Sequence, residues 1–229
     1  MNTKAAGYAT LVEQRKRCEA CSQITNPSKV GQLDSDEIGP WSLWQGNLDS
    51  PIMLVGQDWG DVSAFEKQKG KDIDSSPTNR ALIELFSKLG HTLSPPSKVT
   101  PKNQQLFFTN AVLCLKQGGC QGKVLPEWFS NCGARFLKPT IDLIIPKVVI
   151  CLGQKAYEAV LAANNKRSLC PSFSSAVDCT EPDYLSNGVA VFAVYHCSSR
   201  IQNTHRPKSE QLEDWERIGL WLARKRQDG

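Results

Sequence analysis

The sequence lacks any long apolar run. None of its 229 residues belongs to a stretch of about 18 consecutive apolar residues, the length that spans a bilayer. The first residues, Met1-Asn2-Thr3-Lys4, also lack the apolar core of a secretory signal. Internal repeats and low-complexity tracts are absent, which excludes a solenoid. We therefore expect a cytoplasmic protein with no membrane contact.

A strong charge of one sign is missing as well. The formal net charge is only +4, which is too small to prove a polyanionic partner. The basic residues nevertheless cluster in three segments, 15–17, 200–208 and 224–226. The composition thus permits a nucleic-acid partner without demanding one.

Cysteine, by contrast, is plentiful. The chain has nine cysteines, and a disulfide framework is not expected in the reducing cytoplasm. The cysteines therefore favour a metal or cluster site. With 229 residues and 40% hydrophobic content, the chain can bury one sizeable core, and we expect a single domain, residues 1–229, that is monomeric.

Apolar segments of strand and helix type alternate along the chain. The predicted strands are 52–55, 106–112, 148–152 and 189–195, and the predicted helices are 4–17, 82–89, 126–145 with a kink near Pro139, 156–163 and 209–224. Strands separated by helices pair in parallel through right-handed crossovers. The sequence therefore predicts an α/β fold with a four-stranded parallel sheet between helices.

Three of these strands end on polar side chains that can act on a substrate: Asp58, Asn110 and His196. Taken alone, an Asp or Asn at such a position is more often a helix cap or turn residue. In an open α/β sheet, however, ligands bind at the carboxyl ends of the strands. The three residues together predict a functional site at that edge.

The motifs around these residues resemble those of the uracil-DNA glycosylase superfamily. The matching segments are Gly56-Gln57-Asp58, then Thr109-Asn110-Ala111-Val112 with Cys114, and Tyr195-His196 followed by Cys197-Ser198-Ser199. The resemblance covers roughly residues 15 to 222, and its specificity comes from the ordered set. It implies a three-layer α/β/α sandwich with a four-stranded parallel sheet, and a DNA glycosylase that flips a pyrimidine from the helix.

The resemblance also implies a role for each matching residue. Asp58 would stabilise the positive charge on the sugar and position a water, while His196 and the backbone N–H of Gln57 would donate to O2 of the leaving pyrimidine. Asn110 would read the polar edge of the base. Because no lysine occupies a matching position for a Schiff base, simple hydrolysis without strand cleavage is expected.

Four cysteines form a second candidate site. Cys18 and Cys21 lie on one turn, and Cys114 and Cys132 complete a four-sulfur set whose placement resembles the iron–sulfur branch of the superfamily. The implied cofactor is a 4Fe-4S cluster that ties an N-terminal extension, residues 1–46, to the core. Cys120 is an alternative ligand, structural zinc is an alternative metal, and four buried thiols without metal are a third possibility.

DNA binding requires phosphate contacts and a residue that enters the base stack. The candidates are Ser198, Ser199, Arg200, Ile201, His205 and Arg206 after the histidine, with Lys116 on a second surface. As an alternative, such loop cations can be merely solvated.

The chain departs from the family pattern around the base. Trp59 replaces a usual Pro, and Gly60 stands where strict uracil enzymes carry a Tyr that blocks a C5 substituent. An aromatic residue is missing before Asn79-Arg80, so Trp59 or Phe65 is the expected stacking partner. A C5-modified pyrimidine is therefore a second candidate substrate, for example a glucosylated hydroxymethylcytosine removed from phage DNA as antiviral defence. Catalytically inert nucleic-acid binding and small-molecule nucleosidase activity remain as other classes.

Overall fold

A mixed five-stranded sheet forms the centre of the protein. The computed structural model describes residues 3–39, 41–98, 105–119 and 122–227, without the side chains of residues 226 and 227. The strand order is β2-β1-β3-β5-β4. The strands are β1 (Ile52–Asp58), β2 (Leu106–Val112), β3 (Val148–Leu152), β4 (Asp183–Tyr184) and β5 (Ala190–Val194).

Four of the strands run in parallel, as the sequence predicts. Ile52 of β1 pairs with Leu106 on one side and with Val148 on the other, and Val148 pairs in turn with Ala190 of β5. The fifth strand, β4, is an antiparallel edge strand of two residues. The sequence analysis missed it because two residues carry no readable alternation.

Helices flank the sheet. They are α1 (Thr3–Lys16), α2 (Val62–Lys67), α3 (Pro77–Ser87), α4 (Pro126–Cys132), α5 (Lys138–Ile144), α6 (Gln154–Ala163), α7 (Phe173–Asp178), α8 (Ser199–Thr204) and α9 (Lys208–Gln227). The six-residue helices α2, α7 and α8 went unpredicted, because fewer than two turns leave no periodic pattern. Within the described residues, no helix is long and apolar enough to cross a membrane.

The predicted helix over residues 126–145 is interrupted near the expected kink. A π-helical turn at Gly133–Leu137 separates α4 from α5. Pro139 has no N–H to donate, and its ring crowds the carbonyl four residues earlier, so a regular α-helix cannot continue through this point. The widened turn accommodates both constraints.

The two faces of the sheet bury separate cores. Even-numbered strand residues such as Leu54 pack with Leu82 of α3 and Trp215 of α9. Odd-numbered residues such as Val55 pack on the other side with Ile141 of α5. Because side chains alternate along a strand, the even-numbered polar residues at the strand ends belong to the face covered by α3 and α9.

Polar contacts fold the N-terminal segment onto α1. Arg15 is buried, and its Nη1 donates to both carboxylate oxygens of Asp34 at 2.7 and 2.8 Å. The hydroxyl of Tyr8 donates to Glu37 at 2.6 Å, and the backbone N–H of Ile38 donates back to that hydroxyl. This network joins α1 to residues 34–38. Contacts to α4 attach the segment to the core, since Nε1 of Trp128 donates to the carbonyl of Ser22 at 3.1 Å and Nδ2 of Asn131 donates to that of Ala20 at 3.2 Å.

Candidate active site

Strand register brings two of the predicted residues together. Asn110 pairs directly with Gly56, two residues before Asp58, so Asn110 and Asp58 project from the same face of the sheet. His196 lies two residues beyond Val194, the last residue of β5. The carbonyl of Val194 accepts a hydrogen bond from the N–H of Gly153, which follows β3, at 2.7 Å. All three residues thus lie at the carboxyl ends of parallel strands, along one edge.

Asp58 is held by four hydrogen bonds. Its Oδ1 accepts from the N–H of Gly60 at 2.8 Å, and its Oδ2 accepts from Nε2 of Gln57 at 2.6 Å. Nζ of Lys116 lies 3.0 Å from Oδ1 and 3.1 Å from Oδ2. A carboxylate has about four acceptor positions. In this conformation Asp58 is therefore a fixed, saturated anion with a side chain only 7% exposed.

Lys116 lies in the site and not on the DNA-binding surface that the sequence predicts for it. It was predicted to contact DNA, but its side chain is 6% exposed and ion-paired with Asp58. Its N–H donates to the carbonyl of Gly60 at 3.1 Å, and its carbonyl accepts from Val62 at 3.3 Å. Leu113 and Leu115, which are both buried, alternate with polar residues before it. That alternation was a signal that the chain stays extended beyond β2 and delivers Lys116 to the acid.

Asn110 carries an unused hydrogen-bond donor. The residue is 3% exposed, and its Nδ2 has no hydrogen-bond partner among the described residues. Its Oδ1 fills the space where a side chain at Gly56 would begin, and the ring of Phe108 lies beside the same space. A buried amide donor without a partner costs about 1–3 kcal/mol, which a bound ligand with a suitably placed acceptor would recover.

His196 is set up to donate one hydrogen bond. Its Nδ1 accepts from the backbone N–H of Ser198 at 3.1 Å, so the proton of a neutral ring resides on Nε2. Burial lowers the pKa of His196, and the nearby negative charge of Asp58 acts in the opposite direction. The imidazole is therefore neutral near pH 7 and presents a single N–H.

The predicted aromatic residues differ in their surroundings. The ring of Trp59 is half-buried and packs edge-on against Phe108 with a centroid separation of 5.5 Å. Phe65 is buried in a small apolar cluster with Val30 and Leu115. Of the two, Trp59 is the one that remains partly accessible at the edge of the sheet.

Open space surrounds two neighbours of Asp58. Gly60 has φ +103°, and a Cβ built on it would meet no atom within 4 Å. Gln57 lines a cavity of about 390 Å³ between α4 and α6, whose wall includes Phe129 and Lys155. The edge of the sheet thus has room on both sides of the carboxylate.

The predicted DNA-binding residues fall on and around α8. Ser199 and Arg200 are exposed in its first turn, Ser198 and Ile201 are half-buried, and His205 is exposed at its end, where Nδ1 lies 2.6 Å from Oγ1 of Thr204. These five residues border His196 along the chain.

Arg206 is the exception, because it is bound within the protein. Its Nη2 contacts Asp214 at 2.6 Å and Asp178 at 3.1 Å, and its Nη1 contacts Glu210 at 3.1 Å. Asp214 is fully buried. The guanidinium therefore forms ion pairs that link the end of α8 to α7 and α9. A phosphate would have to displace these three carboxylates to bind it.

The four predicted ligand cysteines line one cavity. Cys18, Cys21, Cys114 and Cys132 surround a space of about 250 Å³. Burial, reinforced by the neighbouring thiols, raises the pKa of Cys114 to about 12, and burial raises that of Cys132 to about 11. Neutral thiols are thus favoured unless a cation binds.

Four cysteine sulfurs are a donor set that suits either a zinc ion or an iron–sulfur cluster. Four sulfur atoms around a single zinc ion would each lie about 2.3 Å from it. Within the described ranges, no three His, Cys, Asp or Glu side chains converge closely enough to hold a single metal ion. In an iron–sulfur cluster each cysteine binds a different iron, so the four sulfurs need not meet at a single atom. Cys120, the alternative ligand, lies outside the described residues.

Comparison with known proteins places the chain in a family context. A sequence model described as the Uracil DNA glycosylase superfamily matches residues 43–218. The chain is also 23% identical over 224 residues to a protein named type-5 uracil-DNA glycosylase from Pyrobaculum aerophilum, and the alignment covers 93% of this chain and 92% of that protein.

Proposed function

The chain belongs to the uracil DNA glycosylase superfamily, and on that premise we propose that it is a monofunctional glycosylase that flips a pyrimidine and hydrolyses its N-glycosidic bond. Membership makes the protein a DNA glycosylase, a hydrolase of N-glycosyl bonds. The identity of the base and the roles of individual residues are the proposed part.

The unpartnered Nδ2 of Asn110 is the observation that carries the proposal. A pyrimidine such as uracil offers a carbonyl acceptor next to a ring N–H donor. The Asn110 amide can donate to the first and accept from the second, and the pairing gives Nδ2 the acceptor that it lacks among the described residues. Trp59 and Phe108 supply flat apolar surface beside that amide.

Asp58 and His196 stabilise the opposite charges that develop when the glycosidic bond breaks. As the glycosidic bond breaks, positive charge develops on the sugar and negative charge on the base. The carboxylate of Asp58 stabilises the first, and Nε2–H of His196 donates to O2 of the base. Because Asp58 already accepts four hydrogen bonds, a water reaches it only when Gln57 rotates away.

The open space at Gly60 favours a second candidate substrate. A Cβ built on Gly60 would meet no atom within 4 Å, and the glycine itself has no side chain that could block a group on C5 of the base. A C5-modified pyrimidine, including a hypermodified cytosine of phage DNA, is therefore the alternative to uracil, with antiviral defence as the corresponding role. The named activity of the Pyrobaculum aerophilum relative favours uracil.

Cys18, Cys21, Cys114 and Cys132 are the proposed ligands of a 4Fe-4S cluster. The shared cavity and the similarity to a type-5 enzyme support this assignment. The cluster would supply structural cross-linking between the N-terminal segment and the end of β2. Exposed residues of α8, with Ser198 before it, are the proposed DNA contacts.

One experiment tests the function and the substrate together. Purified protein is incubated with uracil-containing, unmodified and phage-modified DNA, and the released bases are identified by mass. We expect a free pyrimidine and an intact strand that breaks only after alkali. Asp58→Asn should reduce base release to a slow residual rate, measurable with enzyme in excess, while DNA binding persists. Asp49→Asn, which changes an exposed carboxylate, should leave release unchanged.

The alternatives predict different results in the same assay. Full activity of Asp58→Asn would refute the assigned role of this residue. Absence of any released base from all three DNAs, with DNA binding retained, would indicate an inert binding protein. Release from free nucleosides but not from DNA would indicate a nucleosidase.

A further inference from the structure

Among the residues that the structure describes, Lys116 is the one cation in contact with the proposed catalytic acid. Its ammonium lies about equally far from both oxygens of Asp58, at 3.0 and 3.1 Å, and both side chains are almost fully buried. Burying two charges is expensive, and an ion pair with little exposure is weak evidence for a purely stabilising role. The pair is therefore better evidence for a role in the site than for a contribution to folding stability.

The backbone around Lys116 is held from two directions. On one side it is bridged to Asp61, just beyond β1, through the hydrogen bonds to Gly60 and Val62. On the other side Leu115 exchanges two hydrogen bonds with Thr25, at 2.9 and 2.8 Å. Lys116 is thus positioned by the fold before any substrate arrives.

A buried carboxylate at this place needs such a partner. Removing one partner of a buried ion pair leaves an uncompensated buried charge, which costs several kcal/mol and frees the side chain that remains to move. The other titratable group facing Asp58 is His196, and it is neutral near pH 7, so it does not supply the balancing cation. Lys116 Nζ bridges the two oxygens of Asp58 and thereby fixes the plane of the carboxylate, which still attracts positive charge that develops beside it.

We propose that Lys116 is a positioning residue for catalysis, which balances the charge of Asp58 and fixes the direction of its carboxylate during cleavage of the glycosidic bond. The inference rests on the proposed function, because it assigns Lys116 an effect only through Asp58. It differs from a phosphate contact, which would act on DNA affinity, and from a nucleophile, which would form a covalent bond with the sugar.

The test compares Lys116→Met, Lys116→Arg and Asp58→Asn, singly and in the double variant Asp58→Asn/Lys116→Met. Base release is measured under steady-state conditions with the substrate identified in the panel of DNAs. Lys116→Met should lower kcat by about 100-fold or more with KM nearly unchanged, since the loss falls on the transition state. Lys116→Arg, which keeps the charge, should recover most of that loss.

The double variant separates positioning from other roles. In the Asp58→Asn background, Lys116→Met should change kcat by less than about threefold, because a residue that acts through Asp58 has nothing left to act on. Lys166→Met, an exposed lysine outside the site, is the matched control. If Lys116→Met does not fold, the Lys116→Arg rescue and the double variant, whose pair is neutral, still decide the question.

Three results would overturn the inference. A raised KM with unchanged kcat would identify Lys116 as a DNA contact, and an adduct between protein and DNA trapped by borohydride would identify it as a nucleophile. Equal kcat in wild type and Lys116→Met, with Asp58→Asn strongly slowed, would refute the positioning role alone. If Asp58→Asn is itself fully active, the proposed function of the site fails instead.

Discussion

Gly56→Ala tests whether the direction of the Asn110 amide matters. A methyl group at Gly56 would overlap Oδ1 of Asn110 and lie 3.3 Å from its Cγ and 3.8 Å from the ring of Phe108. The overlapping atom is the end of a side chain, so the amide can rotate to make room. We therefore expect the fold to survive while the base-reading geometry is lost.

The expected magnitudes follow from the lost contacts. A buried hydrogen bond that is no longer made costs about 1–3 kcal/mol, which corresponds to about 5- to 150-fold in kcat/KM. Overpacking costs about 1–3 kcal/mol of folding stability. Replacing glycine in a strand returns about 0.5–1 kcal/mol. The net loss of stability should thus be at most about 2.5 kcal/mol.

Base release and urea unfolding check the two effects separately. Gly46→Ala is the matched control, because its backbone is ordinary (φ −79°) and a Cβ there would meet its nearest atom at 3.9 Å. Adding Asn110→Ala to Gly56→Ala should restore stability but not activity, since the overlap disappears together with the amide. Wild-type kcat/KM in Gly56→Ala would refute the reasoning.

Three further predictions concern charge, thiols and packing. Burial lowers the pKa of folded His196 below its ordinary 6.5, so the unfolded chain binds that proton more tightly. The wild-type protein should therefore lose stability as the pH falls below 6.5. In a pH series of urea unfolding, His196→Gln should lose less stability than the wild type. Cys18→Ser should lower the iron content and the melting temperature of the protein, whereas Cys170→Ser, outside the thiol cavity, should change neither. If Cys18→Ser holds as much iron as the wild type, the proposed ligand set is contradicted. Arg206→Met should cost about 3 kcal/mol in urea unfolding, because Asp214 loses a partner while buried, and a change below about 0.5 kcal/mol would refute this role.

The four parallel strands were predictable because each is a short, strongly apolar run. Val148 to Leu152 and Ala190 to Val194 are buried throughout, and such runs are typical of a sheet covered on both faces. The acid, amide and imidazole were predictable for a related reason: polar residues that end such strands must lie at the same edge. Short elements such as β4 and α8 left no pattern to find.

Ion pairs between residues far apart in the sequence could not be predicted. A basic residue in a glycine-rich segment looks the same in sequence whether it is solvated or buried, and Lys116 proved to be buried against Asp58, 58 positions away. Arg206 likewise carries the pattern of a phosphate contact but binds Asp178, Glu210 and Asp214. Such partners are chosen by packing between elements, which local sequence does not encode.

The sequence by itself determined the family, the order of the longer strands and helices along the chain, and the identities of the side chains at the strand ends, because these depend on residue type and on spacing along the chain. Only the tertiary structure decided which charges neutralise one another, which amide is left without a partner and which thiols share a cavity. The physical reason is that hydrogen bonds and ion pairs depend on distances of about 3 Å between atoms, and the fold sets those distances.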